Sequence, residues 1–246
     1  MELHILGSSS KGNCYIIQNE TEALVIECGV SFKEVKYALD FNISKVVGAL
    51  VSHEHGDHAK YINDFLDARI NVFMSAGTNS KLSLKSKFLP FLLTDMKKIK
   101  IGNFSVIPFK VKHDAKEPFG FLINHPETGN VLFATDTYFL PNRFANLNNV
   151  LIEANYRMDL LKRNIEAGRV PSILRDRTLQ SHMSFETCKE ALLANDLSQV
   201  NNIILIHLSD GNSNADEFRQ DMFEATGKTI HIADSGMIIP FNKTPF

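Results

Sequence analysis

Val51-Ser52-His53-Glu54-His55-Gly56-Asp57-His58 places three histidines and an aspartate within six residues, directly behind the apolar run Val46–Val51. A continuous apolar run of that length reads as a buried strand, so the polar cluster stands where the strand stops. Side chains two apart at a strand end point to the same side, which lets His53 and His55 hold one ion together. Gly56 is read as the residue that permits a sharp turn, presenting Asp57 and His58 to a second ion. Imidazole and carboxylate donors suit two Zn2+, with Mn2+ or iron as substitutes. The bland alternative is a polar surface loop rich in histidine, and the density of donors behind a buried strand argues against it.

Four side chains do not complete two ions, and three further strand-end residues are candidates. His113 ends Val111-Lys112, Asp136 follows Val131–Thr135, and His207 follows Ile203–Ile206. Alone, each would be an ordinary polar group at a strand end; beside the first motif each becomes a candidate ligand. The expected assignment is His53, His55 and His113 on one ion, Asp57, His58 and His207 on the other, and Asp136 bridging. Further out, strands are expected at Leu3–Leu6, Cys14–Gln18, Ala23–Ile26, Ile70–Met74, Phe104–Ile107, Phe119–Ile123, Val131–Ala134, Val150–Ile152 and Ile203–Ile206. Helices are expected behind an N-cap at Ser31, with Glu34 completing a capping box, and at about Ala59–Ala68, Phe185–Asn195 and Ala215–Ala225. Strands that mostly precede loops and helices indicate α/β layers with a site at the strand ends.

Composition narrows the function. The chain of 246 residues is 44% hydrophobic, enough for a sizeable core, and residues 1–246 read as a single domain with no repeat or linker. Lys plus Arg number 26 against 28 Asp plus Glu, a net charge of −2, which argues against a surface built wholly for a nucleic-acid backbone. The cysteines Cys14, Cys28 and Cys188 form no C-x-x-C pair and fit buried thiols in a reducing compartment. With no basic n-region before an apolar stretch and no run near about 18 apolar residues, a soluble, cytoplasmic protein without a membrane span is expected.

The pattern H-x-H-x-D-H followed by single His, Asp and His resembles the metallo-β-lactamase superfamily over nearly the whole chain. That resemblance implies a four-layer αββα sandwich with two ions in the cleft between the sheets. True β-lactamases fit poorly, because they usually lack a histidine at the place of His58 and are exported; glyoxalase II fits on ligands alone. Closer similarity is to the phosphodiesterase branch, and Leu6–Tyr15, Glu27-Cys-Gly29, His113-Asp-Ala115, Glu153-Ala-Asn-Tyr156 and His207-Leu-Ser209 look especially like its YycJ/WalJ proteins and phage relatives. That branch holds tRNase Z, the YycJ/WalJ proteins and phage relatives, including the anti-Pycsar phosphodiesterases that degrade cyclic-nucleotide signals.

A departing alkoxide needs a proton near neutral pH, and histidine is the usual donor. His182, in Ser181-His182-Met183-Ser184, precedes a helix capped by Ser184 and resembles the tRNase Z segment that carries a catalytic His. Glu153 matches the family position whose Glu orients that His; a carboxylate beside an imidazole raises its pKa. The expected catalytic set is Asp57, His182 and Glu153. As plain structure, His182 would be an exposed helix-entry residue and Glu153 half of an ion pair. His125, in Asn124-His-Pro-Glu-Thr-Gly129, reads as a surface turn, and His4 and His231 as strand residues. The Gly7–Asn13 loop reads at least as well as a plain hairpin turn as a phosphate contact.

The expected substrate is a nucleotide phosphodiester, best a small 3′,5′-cyclic nucleotide, with a YycJ/WalJ-like 5′–3′ DNA exonuclease as the alternative and a non-catalytic metal-stabilised fold as the weakest. Low net charge, no Trp and no long basic arm favour the small substrate. Lys81, Lys85, Lys87, Lys97, Lys98 and Lys100 favour nucleic acid if they track a backbone rather than form a solvated face. Arg157, Lys162, Arg163, Arg169, Arg175 and Arg177 suggest a lid over the cleft, supplied across a homodimer as in related enzymes.

Overall fold

The computed structural model describes residues 1–169 and 172–244. Its strands are β1 (Glu2–Ser9), β2 (Gly12–Gln18), β3 (Ala23–Ile26), β4 (Val46–Leu50), β5 (Val72–Ser75), β6 (Phe91–Leu93), β7 (Ile99–Ile101), β8 (Phe104–Lys110), β9 (Phe119–His125), β10 (Gly129–Ala134), β11 (Leu147–Glu153), β12 (Asn202–Ile206), β13 (Thr229–Ile232) and β14 (Met237–Pro240). Its helices are α1 (Phe32–Ala38), α2 (Gly56–Ala59), α3 (Ile62–Asp67), α4 (Ala76–Lys81), α5 (Met158–Glu166), α6 (Ser172–Ser181), α7 (Phe185–Leu193) and α8 (Ala215–Thr226). One sheet runs β14-β1-β2-β3-β4-β5-β6 and the other β13-β12-β11-β10-β9-β8-β7. Each combines antiparallel pairs with a parallel run, β3 to β6 in the first and β10 to β13 in the second.

The period-two alternation of the strands decides the layers. Tyr15, Ile17, Leu24 and Ile26 face Phe121, Phe133, Leu151 and Ile206 in a core between the sheets. Their neighbours Ile16, Val25 and Ala49 point outward onto Val35 and Phe65 of α1 and α3. On the other side Val150, Ile152 and Leu205 pack on Phe185 and Phe218 of α7 and α8. Two sheets flanked by helices make the four-layer αββα sandwich, and each fully buried large side chain contributes about 1.5–3 kcal/mol. Cys14, Cys28 and Cys188 are free and buried, and burial pushes their thiols up. Among the described residues no helix is long and apolar enough to cross a membrane.

Several expectations change. The helix expected at Ala59–Ala68 starts later, as α3, because α2 ends at Ala59 and the Tyr61 N–H donates to the Cys28 carbonyl at 3.0 Å. Strands β6, β7, β13 and β14 and helices α4, α5 and α6 are additional to the elements expected from the apolar patterns. His125 is no surface turn: it closes β9, is buried, and its Nε2 meets Glu22 at 3.0 Å. The segment that carries Lys81 to Lys100 passes from α4 through irregular chain into β6 and β7. Arg157 is tied to Asp159, Glu217 and Asp221 rather than free to act as a lid.

Candidate metal centre

The strands whose residues form the site, β3, β4, β8, β10, β11 and β12, all deliver them at or just beyond their C-terminal ends. Glu27 follows β3, His53 follows β4, His113 follows β8, Asp136 follows β10, Glu153 closes β11 and His207 follows β12. Glu27, Asp136 and His207 have φ of 71°, 45° and 55°. A left-handed residue breaks the strand in one step and turns the chain there, at a cost of about 1–3 kcal/mol each. Behind β4, the chain enters α2, whose first turn carries Asp57 and His58. Gly56 does not make this turn through special backbone freedom: its φ is not positive, and a Cβ there would meet nothing within 4 Å. Gly29 is the constrained position, where a Cβ would lie 1.7 Å from the Asp57 carbonyl oxygen.

The structure gathers all seven expected ligands into two adjoining groups able to hold metal ions, His53/His55/His113 and Asp57/His58/Asp136/His207. In the first, His55 Nδ1 lies 3.0 Å from His53 Nε2 and 3.1 Å from His113 Nε2. His113 Nδ1–H donates to the Ser181 carbonyl at 2.9 Å, so its Nε2 offers a lone pair to this trio. Ser52 Oγ holds His53 Nδ1 at 2.9 Å. In the second, His58 Nε2 is 3.2 Å from Asp57 Oδ2 and 2.5 Å from Asp136 Oδ2, and His207 Nε2 is 3.4 Å from Asp57 Oδ2. Asp136 Oδ2 also lies 3.8 Å from His53 Nε2, between the groups. Both Asp136 oxygens and His207 Nε2 are buried without a hydrogen bond. Such convergent, unsatisfied donors of nitrogen and oxygen fit two divalent cations.

A third grouping joins Asp136 and His207 to Glu153 and His182. Here His182 Nδ1 is 2.7 Å from Glu153 Oε1 and 3.0 Å from Asp136 Oδ1. Glu153 is fully buried and fixed by the N–H groups of Thr137 (2.9 Å) and Met183 (3.1 Å). Burial alone would depress the His182 ring, but Glu153 and Asp136 reverse this and raise its pKa to about 10. Burial opposes ionisation of Asp136 too, and His207 and His58 hold it well below the usual carboxylate range. His53, by contrast, is pushed well down by burial and by neighbouring His58. A cavity of about 190 Å3 opens over the centre, lined by His55, Asp57, His113, Asp136, His182 and His207, with Ser10, Arg177 and Thr178 at its walls.

Four residues from the stretches that carry the family resemblance, none of them assigned a role there, support the ligands. Asn13 Nδ2–H donates to Asp57 Oδ2 at 3.2 Å, and Glu27 Oε1 stands 3.5 Å behind His58 Nδ1. Ser8 Oγ accepts the His207 N–H at 3.0 Å, and Asn155 Nδ2–H donates to the His207 carbonyl at 2.7 Å. Asn13 and Ser8 lie in the Gly7–Asn13 stretch read as a hairpin. It is a hairpin, and its side chains brace the centre.

Residues 9–90 match the model of the Metallo-beta-lactamase superfamily. The exodeoxyribonuclease YycJ of Bacillus anthracis is 28% identical over 229 residues, 85% of this chain and 83% of that protein. The exodeoxyribonuclease WalJ of Streptococcus pneumoniae serotype 2 is 27% identical over 226 residues, 85% and 82% of the two chains. The crystal structure of the metallo-β-lactamase fold protein YhfI from Bacillus subtilis superposes with a TM-score of 0.74 at 15% identity, covering 96% of this chain and 98% of the other. Fold, matched segment and converging His and Asp donors together make this chain a metal-dependent hydrolase with the metallo-β-lactamase fold.

Proposed function

We propose that the chain is a two-metal phosphodiesterase in which His53, His55, His113, Asp57, His58, Asp136 and His207 are the ligands and His182 is the general acid. The observation that carries the reading is His182 held 2.7 Å from buried Glu153 at the rim of the donor cluster. Divalent ions bound there, Zn2+ or Mn2+, supply an activated water and neutralise phosphoryl charge. Asp57, fixed by Asn13, and Asp136, between the two groups, set where those ions sit. Glu153 orients rather than ligates: its Oε2 is taken by two backbone N–H groups, and Oε1 accepts from His182. That bond fixes Nδ1–H and keeps the ring cationic, leaving Nε2–H as the proton for the departing sugar oxygen.

For the substrate we favour a DNA end, supported by the two exodeoxyribonucleases that match 85% of this chain. A 3′,5′-cyclic nucleotide is the second reading, supported by the small cavity over the centre, about 190 Å3. Parallel digestion of 5′-labelled duplex DNA and of cyclic nucleotides by one preparation separates them. Degradation of DNA with a steep negative salt dependence supports the nuclease, and salt-insensitive turnover of a cyclic mononucleotide supports the other.

The acid itself is tested by leaving group. His182→Ala will lose roughly 10²–10⁴ in rate on a nucleotide ester, whose alkoxide needs a proton. On bis(p-nitrophenyl) phosphate, whose nitrophenolate leaves without one, the loss will be far smaller, with metal content unchanged. Equal losses on both esters would remove His182 from the acid role.

A further inference from the structure

Beside the metal centre lies a second, larger cavity of about 670 Å3, lined by Tyr138 and, from α6, by Asp176, Leu179 and Gln180. It adjoins the cavity over the metal centre, since His113 and Arg177 line both. Tyr138 is two residues beyond Asp136. Its backbone is fixed by donation of its N–H to the Lys112 carbonyl at 3.1 Å, and the neighbouring Thr137 Oγ1 donates to the Phe139 carbonyl at 2.8 Å. Its ring is nonetheless 42% exposed, and it stacks on no other ring or cation among the described residues. An anchored aromatic face left open beside a catalytic cavity is available to stack on a flat ring brought to it. Between the two cavities stands Arg177, positioned by Asp114 at 3.2 Å.

From this arrangement we propose that the Tyr138 cavity is a nucleobase site: the ring stacks on the base of the nucleoside whose phosphate lies at the metal centre, and Arg177 bridges the two by contacting that phosphate. An aromatic face gives affinity for any base, and a guanidinium at the junction suits the charge that must pass it. The proposal rests on the phosphodiesterase reading and deepens it, from any phosphodiester to a base-bearing one.

The test compares two esters with the same leaving group, the p-nitrophenyl ester of thymidine 5′-phosphate and methyl p-nitrophenyl phosphate, of which only the first carries a base. The native enzyme will prefer the nucleoside ester in kcat/KM. Tyr138→Ala will cut that preference about tenfold, mainly through KM, the size expected for one lost base–aromatic stack, and Tyr138→Phe will retain it. Calorimetric titration with thymidine 5′-monophosphate and with inorganic phosphate gives a readout apart from turnover. The nucleotide's advantage in affinity will shrink in Tyr138→Ala and persist in Tyr138→Phe. Hydrolysis of both esters without preference, or a preference that survives Tyr138→Ala, overturns the base site alone. Hydrolysis of neither ester overturns the phosphodiesterase reading beneath it.

Discussion

Two buried clusters of histidine and carboxylate lie at opposite ends of the same strands, and they differ in one respect that decides what each does. Before β3 and at the end of β9, Glu22 accepts the Asn103 N–H at 3.0 Å, Asn103 Nδ2–H at 2.7 Å and His125 Nε2–H at 3.0 Å. His125 Nδ1 accepts the Glu127 N–H at 3.1 Å, so every donor there has an acceptor. After β3 and before β9, the cluster around Asp136 leaves both of its oxygens, His58 Nδ1 and His207 Nε2 without hydrogen bonds. Both ends pair histidine with carboxylate, and Glu22 and His125 at one end are buried, as are Asp136, His58 and His207 at the other. What differs is satisfaction, and also backbone: Glu27, Asp136 and His207 are left-handed, while Glu22 and His125 are not. A finished network stabilises a fold, whereas lone pairs left unmatched in a strained setting are held for a ligand.

The largest effect that can break this contrast is loss of an ion. His58→Ala will cost about one of two ions per chain by elemental analysis, and nearly all phosphodiesterase turnover, because its Nε2 faces both Asp57 and Asp136. His125→Ala, at the satisfied end, will keep full metal content. Equal metal loss from both would mean that unmatched lone pairs do not mark the site.

Next in size is a contrast between two glycines. Gly29→Ala forces a methyl onto the Asp57 carbonyl, 1.7 Å away, and will destabilise the fold by about 3 kcal/mol while weakening metal retention. Gly56→Ala enters open space at the first position of α2 and will be neutral or stabilising by up to about 1 kcal/mol. Chemical denaturation of the two variants checks the order. A Gly56→Ala protein less stable than Gly29→Ala would restore the turn role that the motif alone suggested for Gly56.

That reversal shows what the sequence could and could not carry. Contiguous donors behind an apolar run are legible because one strand end fixes them all, and His53 to His58 needed no other information. His113, Asp136 and His207 were legible one by one, since each follows its own apolar strand. Asn13, Ser8 and Glu27 were not, because their roles depend on a hairpin and a left-handed turn that meet the site only in three dimensions. His125 misled for the same reason: Pro126 and Gly129 announce a turn, but nothing local announces that Glu22, far away in the chain, buries the ring. The edge strands β6, β7, β13 and β14 are short, and the three- or four-residue alternations they offer are too brief to stand out.

The smallest expected effect tests the satisfied cluster by itself. Burial works against ionisation of Glu22, but the Asn103 hydrogen bonds and His125 outweigh it and lower its pKa in the folded state. A depressed carboxyl pKa means that the folded state favours the ionised form, so the stabilisation is present above the unfolded value, near 4.5, and fades as pH falls through the folded value. Glu22→Gln keeps the shape and removes the charge. At pH 7 the variant will be less stable than the native protein by up to about 1.5–3 kcal/mol, the worth of a hydrogen bond to a charged group. The gap will narrow on acidification below about pH 4, where native Glu22 also becomes neutral. Urea midpoints of both proteins, measured across that range, follow the gap directly, and effects of acid on the metal centre are common to both and cancel. Turnover near neutral pH will be the same in the two proteins, because Glu22 lies at the end of β3 away from the cleft. A gap that widens in acid would mean that the charge on Glu22 opposes folding, and the two ends of β3 would then differ in geometry but not in satisfaction.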